Sequence, residues 1–358
     1  MEILIIKLSA IGDVIHTLPA LDALHQRFPE SNISWLVEEK ASGILKDHPY
    51  LKKIIVSKRK KWINNFKHPS FWYSSAKEMK HFIEELRSQR YNVIIDFQGL
   101  LKSGILVWLA RGERKIGYDS TREMSGLFLN ERVPPLSSRH HAVEKNVNLA
   151  RYVGAEAMEV RSPIFISEED KEQVQRLLAA HDISSSKPLV VLHTQAGWRT
   201  KEWEPMKVAE LSGKLIARYD AQLIFTGSSD DHTAVETIIS RVGHPAVNAS
   251  GKTSLTQLAY LLSLSDLLVT VDSGPMHLAA AMGTPLVALF GPTASWRTGP
   301  YESSAQVIAS PLSCSPCFKR ACESKTCMKG ISVDEVLEAV DVQLRRRGKR
   351  SIREGRGQ

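Results

Sequence analysis

Four loops concentrate residue types that transfer groups or hold anions. Ser9-Ala10-Ile11-Gly12-Asp13 offers a hydroxyl, a tight turn at Gly12 and a carboxylate just before an apolar helical run. Such a carboxylate either caps the helix by satisfying its free N–H groups or acts as a general base. Asp272-Ser273-Gly274-Pro275-Met276-His277 follows an apolar strand and begins a helix. Gly274 lets a ligand approach the backbone, and Pro275 suits the first helical turn because its missing N–H would be unpaired anyway. Free N–H groups and the helix dipole then make an anion seat suited to a diphosphate. Asp272 would orient those N–H groups or a ribose hydroxyl; the competing reading is a plain cap at Ser273 with His277 in the core. Thr194-Gln195-Ala196-Gly197-Trp198-Arg199-Thr200-Lys201-Glu202-Trp203 sets hydroxyls and Lys201 after another strand. These groups suit phosphate oxygens, or the loop is a surface excursion anchored by Trp203. Thr226-Gly227-Ser228-Ser229-Asp230-Asp231 is a ribose or base-edge contact, or a simple turn and cap.

Two further segments stand out by composition. Residues 52–82 carry nine Lys/Arg against Glu78 alone, interleaved with Trp62, Phe66, Phe71, Trp72 and Tyr73. A mix of aromatics and cations fits a nucleic acid or an anionic substrate at a membrane surface better than a merely solvated charge run. All four cysteines fall in Cys314-x2-Cys317-x4-Cys322-x4-Cys327. Only the first spacing resembles a zinc knuckle, so a free-thiol loop is preferred to a structural metal.

These loops need strands and helices to position them, and the chain alternates the two almost throughout. Apolar runs of strand length at 2–8, 33–37, 93–97 and 115–117 are separated by helical spacing over 14–28, 76–90 and 101–110. After the polar, Pro-terminated stretch 182–188 the alternation restarts. Strands are predicted at 189–193, 222–226, 267–271 and 286–290, and helices at 206–219, 230–242 and 255–264. Strands joined by helices of this length imply parallel α/β sheets. The expected organisation is one domain over 1–182, a second over 188–330, a helix over 332–347 and a disordered basic tail over 348–358. In parallel sheets, ligands bind beyond the carboxyl ends of the strands, where all four loops lie.

The 358 residues are 43% hydrophobic and 24% charged, an ordinary globular composition. No apolar stretch approaches the ~20 residues of a membrane span. Met1-Glu2-Ile3-Leu4-Ile5-Ile6-Lys7 has no basic leader and reads as a strand, so the cytoplasm is the expected location. The net charge of +8 comes from the 52–82 segment and from 345–358, which has seven Lys/Arg against Glu354; the rest of the chain is net acidic. A single Gly after the first strand argues against a G-x-G-x-x-G dinucleotide site.

Lys7-Leu8-Ser9-Ala10-Ile11-Gly12-Asp13-Val14-Ile15-His16-Thr17-Leu18-Pro19-Ala20-Leu21, Asp96-Phe97-Gln98-Gly99-Leu100-Leu101-Lys102-Ser103 and the Asp272–His277 loop together resemble the ADP-heptose:lipopolysaccharide heptosyltransferases, glycosyltransferase family 9. The likeness extends to about residue 345. It is most like the heptosyltransferase I type, which adds the first heptose to Kdo of the inner core. Ile33-Ser34-Trp35-Leu36-Val37-Glu38-Glu39 and Arg139-His140-His141-Ala142-Val143-Glu144 match that type too, whereas Cys314-Ser315-Pro316-Cys317-Phe318-Lys319-Arg320 is similar to heptosyltransferase II. Addition of the second heptose is therefore the alternative.

The resemblance implies a GT-B fold, with two Rossmann-like doubly wound domains facing across a cleft, and an inverting, metal-independent transfer. It implies Asp13 as the general base, with Thr194, Lys201, Asp272, Ser273, Gly274 and His277 holding the donor. It places Arg59, Lys60, Lys61, Arg122 and His141 at the Kdo carboxylates and lipid A phosphates. ADP-heptose is a donor substrate, so no cofactor is expected. The implied partner is Kdo-lipid A at the inner face of the inner membrane, with the protein a peripheral monomer. A nucleic-acid-binding module leaves the Asp13 and Asp272–His277 loops without a task, so no nucleic-acid partner is expected.

Overall fold

The computed structural model describes residues 1–119, 122–156, 160–301 and 303–354, with the side chains of all but Pro69, Arg122 and 347–354. They form two units, Met1–Phe165 and Ile166–Gln358. The predicted change of domain at 182–188 lies too late. Helix Glu168–Ala180 belongs to the second unit, where the buried Asp170 carboxylate accepts from Thr256 Oγ1 at 2.7 Å and Gln257 Nε2 at 2.8 Å. The Pro-terminated stretch is a loop inside that unit.

The first unit is a six-stranded parallel sheet of order β3-β2-β1-β4-β5-β6. Its strands are β1 Glu2–Ile6, β2 Asn32–Glu38, β3 Lys53–Ser57, β4 Arg90–Asp96, β5 Arg111–Tyr118 and β6 Glu131–Val133. Ile3, Leu4, Ile5 and Ile6 are all fully buried, as expected of a central strand covered on both faces. Leu4, Ile6, Leu36, Ile55 and Ile94 pack against Trp62, Phe82, Leu86, Leu106 and Val107 from helices Arg59–Asn65, Trp72–Arg87 and Leu101–Leu109. Each such aliphatic burial is worth ~1.5–3 kcal/mol. The helix predicted over 14–28 is two, Ile11–Ile15 and Leu18–Arg27. Pro19 sits in the first turn of the second, where it needs no N–H partner, so the chain turns at His16-Thr17 instead of running through.

The second unit repeats the plan with order β12-β11-β10-β7-β8-β9. These are β7 Leu189–His193, β8 Gln222–Phe225, β9 Val247–Asn248, β10 Leu267–Val271, β11 Leu286–Phe290 and β12 Gln306–Ala309. Strands β7, β10 and β11 are buried throughout. Helix Val333–Glu354 closes this core through Val336 and Val340. It runs past the predicted end at 347 into the stretch expected to be disordered; Lys and Arg are good helix formers and favour a helix C-terminus. Among the described residues, no helix is long and apolar enough to cross a membrane.

Candidate functional site

In each unit the strand order reverses once, between β1 and β4 and between β7 and β10. Such switch points are where ligands bind in parallel sheets; Asp13 follows β1, Thr194 and Lys201 follow β7, and the Asp272–His277 loop follows β10.

In the first unit the loops leaving β1 and β4 are tied together. Gln98 Oε1 accepts from Leu8 N at 3.0 Å and Ser9 N at 3.1 Å, and Lys7 Nζ donates to Phe97 O at 2.8 Å. The β4 loop is shaped by Asp96, whose carboxylate accepts from Gln98 N, Gly99 N and Ser103 Oγ. Burial pushes the Asp96 carboxyl above its ordinary range, and those hydrogen bonds oppose the shift. Gly99 adopts φ +64°, a region that disfavours side chains. On this frame Asp13 stands in helix Ile11–Ile15, half-exposed, with Oδ2 accepting from Ala10 N at 2.9 Å. The N-cap is therefore Ala10, and Asp13 reaches back to it from the third position. Oδ1 takes no hydrogen bond among the described residues.

Beside it lies a cationic cluster. Glu38, at the end of β2 and 5% exposed, accepts at Oε1 from Arg59 Nη2 (2.9 Å), Arg59 Nε (3.2 Å) and Lys102 Nζ (3.3 Å), with Lys60 Nζ 3.6 Å from Oε2. Lys102 Nζ also donates to Ser9 Oγ at 2.8 Å. Burial alone would raise the Glu38 carboxyl, but Arg59 and Lys102 outweigh it and hold it below its ordinary value. Lys102 is lowered, first by burial and then by Arg59 and Lys60, against the pull of Glu38. Three cations on one carboxylate leave a positive surplus that is partly desolvated and suited to an external anion. Lys102, Glu38 and Gln98 stand in the motifs that carry the family resemblance, but they are not among the site residues expected from it. The signals for them are those motifs and their position at or just after strand ends.

The other acceptor-side residues are dispersed. Lys61 turns away to Glu78 at 2.9 Å. His141 caps helix Ala142–Tyr152, with Nδ1 accepting from Val143 N and its ring edge-on to His16 at 5.0 Å. Arg122 opens the segment Arg122–Phe128, and its side chain lies outside the described residues. Trp62, expected with the surface aromatics, is buried against Phe82 and donates to Glu78.

In the second unit, Lys201 Nζ is 2.7 Å from Asp272 Oδ2 and 4.6 Å from the Trp198 ring centre. Asp272 thus answers Lys201, and the cation expected to meet phosphate is already paired. Ser273 is the extended N-cap of helix Gly274–Ala281 and makes no side-chain cap bond. It and Gly274 remain part-exposed, while His277 is buried. Thr194 is buried beside His193, whose Nδ1 lies 3.1 Å from Thr226 Oγ1. Trp203 is the predicted anchor, donating to Ile331 O at 3.1 Å. The 226–231 loop is a turn and cap, with Asp231 Oδ2 accepting from Ser228 N and Oγ.

The four cysteines are free thiols. Cys327 Sγ lies against Gly291, and Phe318 N donates to Pro292 O. Among the described residues, no group of three His, Cys, Asp or Glu is placed to hold a metal ion.

Residues 79–328 match the family model described as glycosyltransferase family 9 (heptosyltransferase). Lipopolysaccharide heptosyltransferase 1 of Pseudomonas aeruginosa is 31% identical over 90% of this chain and 87% of its own. The protein of that name from Escherichia coli K12 is 29% identical over 87% and 94%. The solved structure of E. coli heptosyltransferase WaaC with ADP superposes with a TM-score of 0.75 at 26% identity, covering 96% of this chain and all of that one.

Proposed function

The chain belongs to glycosyltransferase family 9, and from that premise we propose that it is a GT-B heptosyltransferase that moves heptose from ADP-heptose to the Kdo of the lipopolysaccharide inner core. The likeness to heptosyltransferase 1 proteins supports first-heptose over second-heptose transfer. The observation that carries the acceptor assignment is the surplus of Arg59, Lys60 and Lys102 on Glu38, one residue cluster away from Asp13 through Ser9. A sugar acid bearing carboxylates answers that surplus.

In this reading Asp13 Oδ1 takes the proton of the acceptor hydroxyl as that oxygen bonds to the anomeric carbon. The bond from that carbon to the ADP oxygen breaks, the configuration inverts, and ADP leaves. A carboxylate suffices as the base if the hydroxyl becomes acidic only late in an oxocarbenium-like transition state. The diphosphate is held by the Ser273–Gly274 N–H groups, the dipole of the helix they open, Thr194 and Lys201, with Asp272 releasing or steering the lysine. His277 supports that helix from within. Arg59, Lys60 and Lys102 serve the anionic acceptor. These charges supply the stabilisation without a metal, so turnover is expected to persist in chelator. The enzyme would act as a monomer on the cytoplasmic face of the inner membrane.

Product analysis with ADP-heptose tests the assignment. Kdo2-lipid A should be heptosylated; use of only an already heptosylated acceptor would overturn it in favour of second-heptose transfer.

A further inference from the structure

We propose that one layer of the first unit is a membrane-docking surface whose partner is an anionic lipid bilayer. It extends the acceptor reading above, because a lipid-anchored acceptor requires the enzyme to work at such a surface.

Helix Leu101–Leu109 is apolar on both sides. Ser103, Gly104, Leu106 and Val107 are buried, and a Cβ on Gly104 would lie 2.5 Å from Phe128 Cδ2, so this side is closed against the segment Arg122–Phe128. Leu101, Ile105 and Trp108, spaced four and three residues apart, form an exposed stripe on the same helix. Met124 and Leu127 of the adjoining segment are exposed as well, and Trp108 and Leu127 each leave about two-thirds of their surface to solvent, at 65% and 64%. A second stripe consists of Ile63, Phe66, Phe71, Trp72 and Tyr73, with the Trp72 indole held outward by a bond to Phe66 O at 2.9 Å.

Both stripes belong to one layer. Trp62, Phe82, Leu106 and Phe128, from the helices and segment concerned, meet in one core cluster with Leu4, Ile6 and Ile94 of the sheet. Their outer sides therefore lie over the same face of that sheet. Exposed apolar patches of this extent mark interaction surfaces. Charge selects the occupant. Lys58, Lys67 and Lys77 are exposed and have no ion pair among the described residues, while Lys61 and Lys80 each have one carboxylate. A second copy would bring two basic faces together, and a nucleic acid would leave Leu101, Ile105 and Leu127 in water. A bilayer answers every group. Aliphatic side chains enter the acyl boundary, Trp and Tyr lie at headgroup depth, and lysines meet anionic lipids.

The full-length protein is sedimented with phosphatidylcholine vesicles, with and without phosphatidylglycerol. Wild type should pellet with the anionic vesicles, less so as salt rises. The double variant Ile105→Ser/Trp108→Ser should bind at least ~10-fold more weakly. Leu127→Ser, on the neighbouring segment, should weaken binding too, while Trp108→Phe should retain it. Unchanged turnover on a deacylated, water-soluble Kdo acceptor shows that the variants are folded. Wild type that ignores anionic vesicles, serine variants that pellet like wild type, or a concentration-dependent dimer abolished by these serines would each overturn the proposal. Pelleting without heptose transfer would overturn the function and leave the surface; transfer in detergent without pelleting would do the reverse.

Discussion

At the β1/β4 strand ends three cations share Glu38, whereas at the β7/β10 ends Lys201 has Asp272 as its own partner. The topological position is the same in both sheets, and the local electrostatics differ. A surplus of partly desolvated cations is stabilised by an anion from outside, because Glu38 answers only one of three charges. A matched pair gains less from an incoming anion unless the lysine exchanges partners, so neutral N–H groups and the helix dipole must do much of the holding there. This difference fits an acid sugar at one end and a nucleotide diphosphate at the other. It also separates the tasks of Asp13 and Lys201, which can be tested one at a time.

The largest expected effect is at Asp13. Asp13→Ala should lower kcat by ~10²–10⁴-fold with ADP affinity nearly unchanged, read by ADP release in turnover and by calorimetric titration of ADP. Loss of ADP binding, or of stability alone, would reduce Asp13 to its bond with Ala10 N. Next comes Lys201→Met, expected to lower kcat/KM by ~10²-fold and to weaken ADP together with it. If ADP binds normally to this variant, the lysine stays with Asp272 through the cycle and the contrast between the two ends widens.

Much of the architecture is legible from the residue pattern, because fully buried strands are uninterrupted apolar runs. Strands 189–193, 267–271 and 286–290 and helix 255–264 fall where the periodicity sets them. The strands β3, β6 and β12 were not legible. They are short or lie at sheet edges and are only partly buried, so alternation is weak. The candidate site was legible as loops but not as partnerships. Lys102 and Glu38 stand 64 residues apart in sequence, and only the parallel order β2-β1-β4 brings their strand ends together. Trp62 was read with the exposed aromatics because a basic neighbourhood hides which side of a short helix faces inward. Its indole fills the core while Phe66 and Trp72 do not.

The cationic end can be probed without touching Asp13. Lys102→Met should raise the acceptor KM by ~10-fold while sparing donor KM, since one charge-assisted contact of about 1.4 kcal/mol is lost. Lys102→Arg should recover part of it. A merely structural lysine would instead lower the melting temperature and affect both substrates alike. An unchanged acceptor KM in a folded variant would remove Lys102 from the acceptor site and leave Arg59 and Lys60 as its cations.

The smallest effect concerns a feature the two units share. His48 in the first and His193 in the second are each lowered to about 4, in both cases chiefly by burial. His48 packs edge-on to Tyr50 and Phe165, and His193 lies against Thr226. Both favour the neutral ring when folded, whereas the unfolded chain binds the proton at an ordinary pKa near ~6.5. Between those two values the unfolded state holds more protons, so stability is full above the upper one and declines as pH falls towards the lower. From about pH 7 to pH 5.5 each histidine should remove ~1 kcal/mol. Urea unfolding at the two pH values, with His48→Gln and His193→Gln, assigns the loss to one unit or the other. Each variant should flatten the pH dependence of its own unit only; equal stability of the wild type at both pH values would show that neither ring resists protonation as its burial requires.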